Sequence, residues 1–190
     1  MEAAVEQHDL DAVQALLDAG FDPNADLGVS TRALHIAAAR NDPPMIRLLV
    51  SAGADVNTRL YSGSTPLFLA SEGGTYETVM TLLELGGDPT ISTWVLPTQN
   101  VLHDSAAVGN VEAARALLDF GVDVNVRDDR GTTPLLLASW FDHAEVAALL
   151  LERGADYTMR DARGLSPLDH AIDHNNTELA AVLRAAGATA

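Results

Sequence analysis

The sequence predicts an all-α solenoid of antiparallel helix pairs joined by short hairpin loops, and two markers sharing one period predict it. Gly20, Gly53, Gly86, Gly121, Gly154 and Gly187 each close an apolar run, at intervals of 33, 33, 35, 33 and 33 residues. Leu34, Leu67, Leu102, Leu135 and Leu168 recur at 33, 35, 33 and 33. Both series put the two extra residues between Gly86 and Leu102, in the segment GDPTISTWVLPTQN. Self-similarity at a fixed spacing of this length marks stacked supersecondary units, each too small to bury its apolar face alone.

Each unit follows from local chemistry. A hydroxyl and a proline precede the leucine in Thr65-Pro66, Thr133-Pro134 and Ser166-Pro167. The hydroxyl caps the first free amides of a helix, and proline fixes φ where no amide is needed. A first short helix therefore starts there and runs through small residues such as Ala37, Ala38 and Ala39. Polar breaks follow at Asn41-Asp42, Gly73-Gly74, Gly109-Asn110, Asp142-His143 and Asn175-Asn176. A second helix then carries the leucine pairs at 16-17, 48-49, 82-83, 117-118 and 149-150, and ends at the marker glycine in a left-handed cap. After the glycine, an Asp-x-Asn turn (Asp22 to Asn24, Asp55 to Asn57, Asp123 to Asn125) leads into a loop holding Gly63, Gly131 or Gly164.

Composition narrows the function. The chain has 190 residues, 47% hydrophobic and 20% charged, which fits one folded domain rather than a disordered chain. Eleven basic residues, all arginine, face 27 acidic ones, for a net charge of −16. Partners held by phosphate neutralisation, nucleic acid and anionic membrane alike, are disfavoured. No cysteine is present, so disulfides, thiol nucleophiles and cysteine-ligated metals are excluded. No stretch approaches the roughly 18 apolar residues that span a bilayer, and the start, MEAAVEQHDLDAV, has no leader pattern, so a cytoplasmic protein is expected.

STPLFLA at 64–70, AGADVN at 52–57 and RGAD at 153–156 resemble the ankyrin repeat, whose consensus runs T-P-L-H-x-A and then L-L-x-x-G-A-D-x-N. The resemblance implies one domain over 1–190 with six repeats, at about 1–24, 25–57, 58–90, 91–125, 126–158 and 159–190. The first repeat begins at its leucine position, Met1, and so lacks a hairpin. In an ankyrin solenoid, first helices and hairpins line a concave face and second helices form the convex back. The consensus histidine survives as His35 and His103 but is Phe68, Leu136 and Asp169 elsewhere, which predicts weaker hydrogen bonding between those repeats. Asp104 replaces an aliphatic residue and, if buried, needs a partner.

Residues with chemical potential have plainer readings. His170 and His174 have the i, i+4 spacing of two metal ligands with Asp173 beside them, but no third ligand is assignable, and they read as polar residues of the last inner helix. His103-Asp104-Ser105 cannot relay protons, because consecutive helical residues point about 100° apart. Asp128-Asp129 reads as solvated loop charge. No catalytic residue, metal or cofactor is expected. The function expected from the resemblance is non-catalytic protein binding by a monomer, through hairpin tips and inner-helix ends. At those offsets stand Arg59, Tyr61 and Glu72 in repeat 3, and Trp94 in the enlarged loop of repeat 4. Repeat 5 supplies Arg127, Asp129, Arg130, Trp140 and Phe141, and repeat 6 Arg160, Arg163 and His174. Trp, Tyr and Arg dominate binding hot spots. Two alternatives accompany this reading: Trp94 folds back over its loop, and the loop arginines only solvate their hairpins. The net charge adds a third, an immunity or inhibitor protein that neutralises a basic enzyme or toxin through long-range attraction.

Overall fold

The structure, a computed structural model, describes residues 1–28, 31–93 and 99–189. Trp94 lies outside them. The chain divides into two compact units, Met1–Pro97 and Thr98–Ala190. The first holds α1 (Glu2–Glu6), α2 (Leu10–Asp18), α3 (Ala33–Ala39), α4 (Pro43–Ser51), α5 (Pro66–Gly73) and α6 (Tyr76–Glu84). The second holds α7 (Val101–Val108), α8 (Val111–Phe120), α9 (Pro134–Trp140), α10 (Ala144–Glu152), α11 (Pro167–Asp173) and α12 (Thr177–Ala185). Among the described residues there is no strand, and no helix is long and apolar enough to cross a membrane.

Helices start where the capping chemistry puts them. Thr65, Thr133 and Ser166 accept the amides of Phe68, Leu136 and Asp169, with proline at the first turn. Asp9, Asp42, Thr75, Asn110 and Asn176 cap the second helices in the same way. The six marker glycines all have φ between +87° and +105°, the left-handed conformation that ends each second helix. Four of the breaks between paired helices reach positive φ without glycine, at His8, Asn41, Asp142 and Asn175.

Within each unit the two helix series stack separately. First helices pack α1 on α3 on α5, and α7 on α9 on α11; second helices pack α2 on α4 on α6, and α8 on α10 on α12. Leu34, Leu49, Leu67 and Leu82 are fully buried in the first unit, Leu102, Leu117, Leu135, Leu150 and Leu168 in the second. Each contributes about 1.5–3 kcal/mol of burial. Small residues on the first helices, Ala37, Ala38, Ala70, Ala106 and Ala138, are also fully enclosed and let successive helices approach closely. Asp104 is buried on α7 and has an interaction partner, as its position requires.

The Asp-x-Asn turns do more than reverse the chain. Asn24 donates Nδ2 to the Gly53 carbonyl at 2.9 Å and accepts the Asp55 amide at 2.8 Å. Asn57 repeats the pair on Gly86 and Asp88, and Asn125 on Gly154 and Asp156. Each asparagine therefore locks the C-terminal turn of the following repeat to its own. Each projecting loop is closed by two backbone bonds, Leu60 N–H to Ser64 O with Gly63 N–H to Leu60 O, Asp128 to Thr132 with Gly131 to Asp128, and Asp161 to Leu165 with Gly164 to Asp161, too few for a strand ladder.

Candidate functional site

In the second unit the ends of α9 and the loops of two successive repeats enclose a groove of ≈ 310 Å³. Its floor comes from the buried side of α9, Leu136 and Leu137, and its wall from Trp140 and Phe141 at the helix end. Trp140 is 42% and Phe141 50% exposed, and both face a site where apolar area is available for burial. Arg130 and Arg163 line it from the two loops.

The rim is built by aspartates turned inward. Asp128 Oδ1 accepts the amides of Arg130 at 3.0 Å and Thr132 at 2.7 Å, which holds Arg130 at the loop tip. Asp128 is only 8% exposed, so it is a structural residue rather than the solvated charge expected from sequence. Asp161 does the same in the next repeat, accepting the Arg163 and Leu165 amides at 2.8 and 2.9 Å. Its second oxygen accepts His170 Nε2 at 3.1 Å, with Arg163 Nε at 3.6 Å. Burial opposes ionisation of Asp161, but the Leu165 and Arg163 amides and the His170 ring outweigh it and hold the carboxyl below the usual carboxylate range.

A stack completes the wall. The Arg163 guanidinium lies 4.6 Å from the Trp140 ring centroid, within cation–π range, while the His170 ring lies 5.0 Å from Trp140 at 47°. His170 is 1% exposed and fixed between indole and carboxylate. His174, 6.4 Å from it ring to ring, turns instead to Asp142 Oδ2 at 3.1 Å. The two histidines thus serve different carboxylates, and among the described residues no group of three or more His, Asp or Glu stands ready to hold a metal ion.

The remaining candidate contact residues divide by what their side chains already do. Arg59 donates to the Ser92 carbonyl at 2.6 Å, and Arg160 to the Gly164 carbonyl and Asp169 Oδ2 at 2.8 and 3.1 Å; both brace loops. Asp169, whose carboxyl is held below its ordinary range by the Ser166 amide and hydroxyl, also closes the capping box of α11. Arg127 is exposed but lies over Gly131, 2.6 Å from where a Cβ there would sit. Asp129 is exposed at its loop tip. In the first unit Tyr61 is 82% exposed on the Leu60–Gly63 turn, and Glu72 is exposed near the end of α5. Sequence reasoning places Gln99 with the contact residues of the enlarged loop but misses Thr132, Leu136, Leu137, Asp161 and Ala162 as groove residues. The loop aspartate four residues before a Thr or Leu is the available signal, since that spacing recurs at Asp128 and Asp161.

A family model for ankyrin repeats (3 copies) matches residues 1–93 and 102–190. Among curated relatives, neurogenic locus notch homolog protein 1 of Danio rerio is 30% identical over 128 residues, 67% of this chain and 5% of that protein. Ankyrin repeat and SOCS box protein 11 of Danio rerio is 37% identical over 106 residues, 56% of this chain and 35% of the relative. A Caenorhabditis elegans homolog of transient receptor potential cation channel subfamily A member 1 is 33% identical over 113 residues, 60% of this chain and 9% of the channel protein. The chain thus spans a minor part of the length of each.

Proposed function

Because the chain belongs to the ankyrin repeat family, a family of protein–protein interaction modules, we propose that it binds a partner protein without catalysis, through the second-unit groove bounded by Trp140, Phe141, Arg130 and Arg163. The carrying observation is the half-exposed Trp140, already desolvated on two sides by Arg163 and His170, whose remaining face opens into an apolar groove. Rigid aromatic area of this kind is buried at small entropic cost, which is why Trp and Arg anchor interfaces. Within the second unit Arg127, Asp129 and His174 extend the contact surface from loop tips and an inner-helix end, and Arg160 supports it by holding its loop; in the first unit Tyr61 and Glu72 are separate exposed contact residues, and Arg59 holds its own loop. The protein acts in the cytoplasm as a monomer in this reading.

Affinity capture with the chain as bait, in parallel with Trp140→Ala and with Tyr61→Ala, tests it. A protein retained by the wild type and lost from Trp140→Ala, with helical content kept, supports the groove. Equal retention by Trp140→Ala would remove the groove from the interface, and loss only from Tyr61→Ala would move the site to the first unit.

A further inference from the structure

Resting on the reading of the groove as a binding site, we propose that its occupant is an acidic peptide segment, with an apolar side chain seated against Trp140, Leu136 and Leu137 and a carboxylate engaged by Arg130 and Arg163. The polarity of the exposed lining carries this. Four acidic or basic side chains line the groove besides the His170 ring: Asp128, Arg130, Asp161 and Arg163. Both aspartates turn an oxygen onto the amides of their own loops, and Asp161 also faces His170 and Arg163 with its second oxygen, while both arginines are exposed and, among the described residues, Arg130 has no such carboxylate. The charge an incoming chain meets is therefore positive, although the molecule as a whole carries −16.

The arginines differ in readiness. Arg163 is laid flat on Trp140 with its Nε toward Asp161. Among the described residues the Arg130 guanidinium has no hydrogen bond or ion pair, and neither has that of Arg127 on the same loop. Asp129 is the exposed counter-charge of that loop but does not line the groove. A guanidinium presents a planar fork that matches a carboxylate in two parallel bonds, so Arg130 at the edge of an apolar cleft recognises an acidic side chain beside an apolar one. Asp129, next in the chain to Arg130, opposes this directly, whereas carboxylates farther than about 8 Å are largely screened at physiological ionic strength. A volume of ≈ 310 Å³ is at the small end of ligand cavities and suits one or two inserted side chains rather than a folded surface.

The test uses the full chain and three synthetic octapeptides sharing a central Leu-Phe, flanked by Glu, by Gln or by Lys, titrated by calorimetry. The acidic peptide is expected to bind at least tenfold more tightly than the neutral one, and the basic one least. Arg130→Gln, an exposed substitution, is expected to lose at least fivefold for the acidic peptide and distinctly less for the neutral one, with unfolding midpoints measured on the same preparations. Tightest binding of the basic peptide, no binding of any, or an unchanged acidic affinity in Arg130→Gln would overturn the proposal. So would sedimentation of the unliganded wild type as a dimer that Arg130→Gln dissociates, which gives the groove to a second copy. Those results leave the groove standing as a protein-binding site as long as Trp140→Ala still loses a captured partner; equal retention by Trp140→Ala would remove the groove itself from the interface.

Discussion

His35 on α3 reaches into the following repeat and donates Nε2–H to the Ser64 carbonyl at 3.1 Å, the same oxygen that accepts the Leu60 amide and closes the loop. His103 makes the equivalent bond to Thr132, whose carbonyl likewise closes the loop on the Asp128 amide. One histidine per contact thus clamps a projecting loop onto the preceding repeat. Where the histidine is replaced, Phe68 and Leu136 supply buried apolar area instead, and Asp169 turns to its own helix cap.

That clamp predicts acid sensitivity. Burial lowers the His35 pKa to about 4, and its Nδ1 is buried without a hydrogen-bond partner among the described residues; burial lowers His103 in the same direction. The unfolded chain binds these protons near pH 6.5 and the native chain does not, so stability is greatest above that pH and falls as pH drops toward 4. For His35 the slope in that window approaches about 1.4 kcal/mol per pH unit, and His103 adds to it in the same direction. Asp161 and Asp169, lowered when folded, add a separate loss below about pH 4. Urea midpoints at pH 7, 6, 5 and 4 should decline, with a shallower decline in His35→Gln. A flat profile between pH 7 and 5 would refute the assignment.

Asn57 bridges two repeats with a bond to the Gly86 carbonyl at 3.0 Å and one from the Asp88 amide at 2.8 Å. Asn57→Ala removes both while leaving each backbone group near solvent, so the cost is about 1–2 kcal/mol. Asn57→Asp keeps an acceptor for Asp88 but has no donor for Gly86, and should lie between. Equilibrium unfolding of the three proteins gives the order directly.

Gly109 and Gly20 separate backbone strain from crowding. Both have positive φ, +81° and +87°, but a Cβ at Gly20 meets nothing within 4 Å, whereas one at Gly109 would lie 2.5 Å from His143 Nδ1. The His143 ring cannot swing aside freely, since its Nε2 is hydrogen-bonded to Ala107 O at 3.0 Å. Gly20→Ala should cost about 1 kcal/mol from strain alone, and Gly109→Ala about 2 kcal/mol or more. Adding His143→Ala to Gly109→Ala should restore part of the difference; additive losses in that double variant would show that the ring is not the obstacle.

The solenoid is readable in the sequence because its determinants are local and repeated. A hydroxyl at Thr133, a proline at 134, a leucine at 135 and a glycine at 154 each act within a few residues of themselves, and the period multiplies the signal. Trp140, Phe141, Arg130 and Arg163 are readable as surface residues because their offsets lie at helix ends and loop tips. Loop bracing by Arg59 and Arg160 is not, because a side chain's choice between a neighbouring carbonyl and open solvent depends on contacts 33 and 4 residues away that carry no pattern of their own. The inward turn of Asp128 and Asp161 escapes for a related reason. A charged residue in a turn reads as solvated until the amides it faces are known.

Asp161 joins stability to the site, and its removal should affect both. It accepts the Arg163 and Leu165 amides and His170 Nε2, and draws Arg163 toward the face of Trp140. Asp161→Ala strands these donors and leaves His170, 1% exposed, without its partner at Nε2. Hydrogen bonds to a charged acceptor contribute about 1.5–3 kcal/mol each, and losing several partly exposed ones together should destabilise the second unit by about 2–4 kcal/mol. Asp161→Asn keeps an acceptor for the amides and should cost less than half as much. Partner affinity should follow a different order, because it depends on where Arg163 lies: both variants free the guanidinium, so both weaken binding to a similar degree despite their unequal stabilities. Unfolding curves and affinities on the same preparations test the separation, and affinity that tracks stability alone would mean that Asp161 holds the fold without positioning the rim.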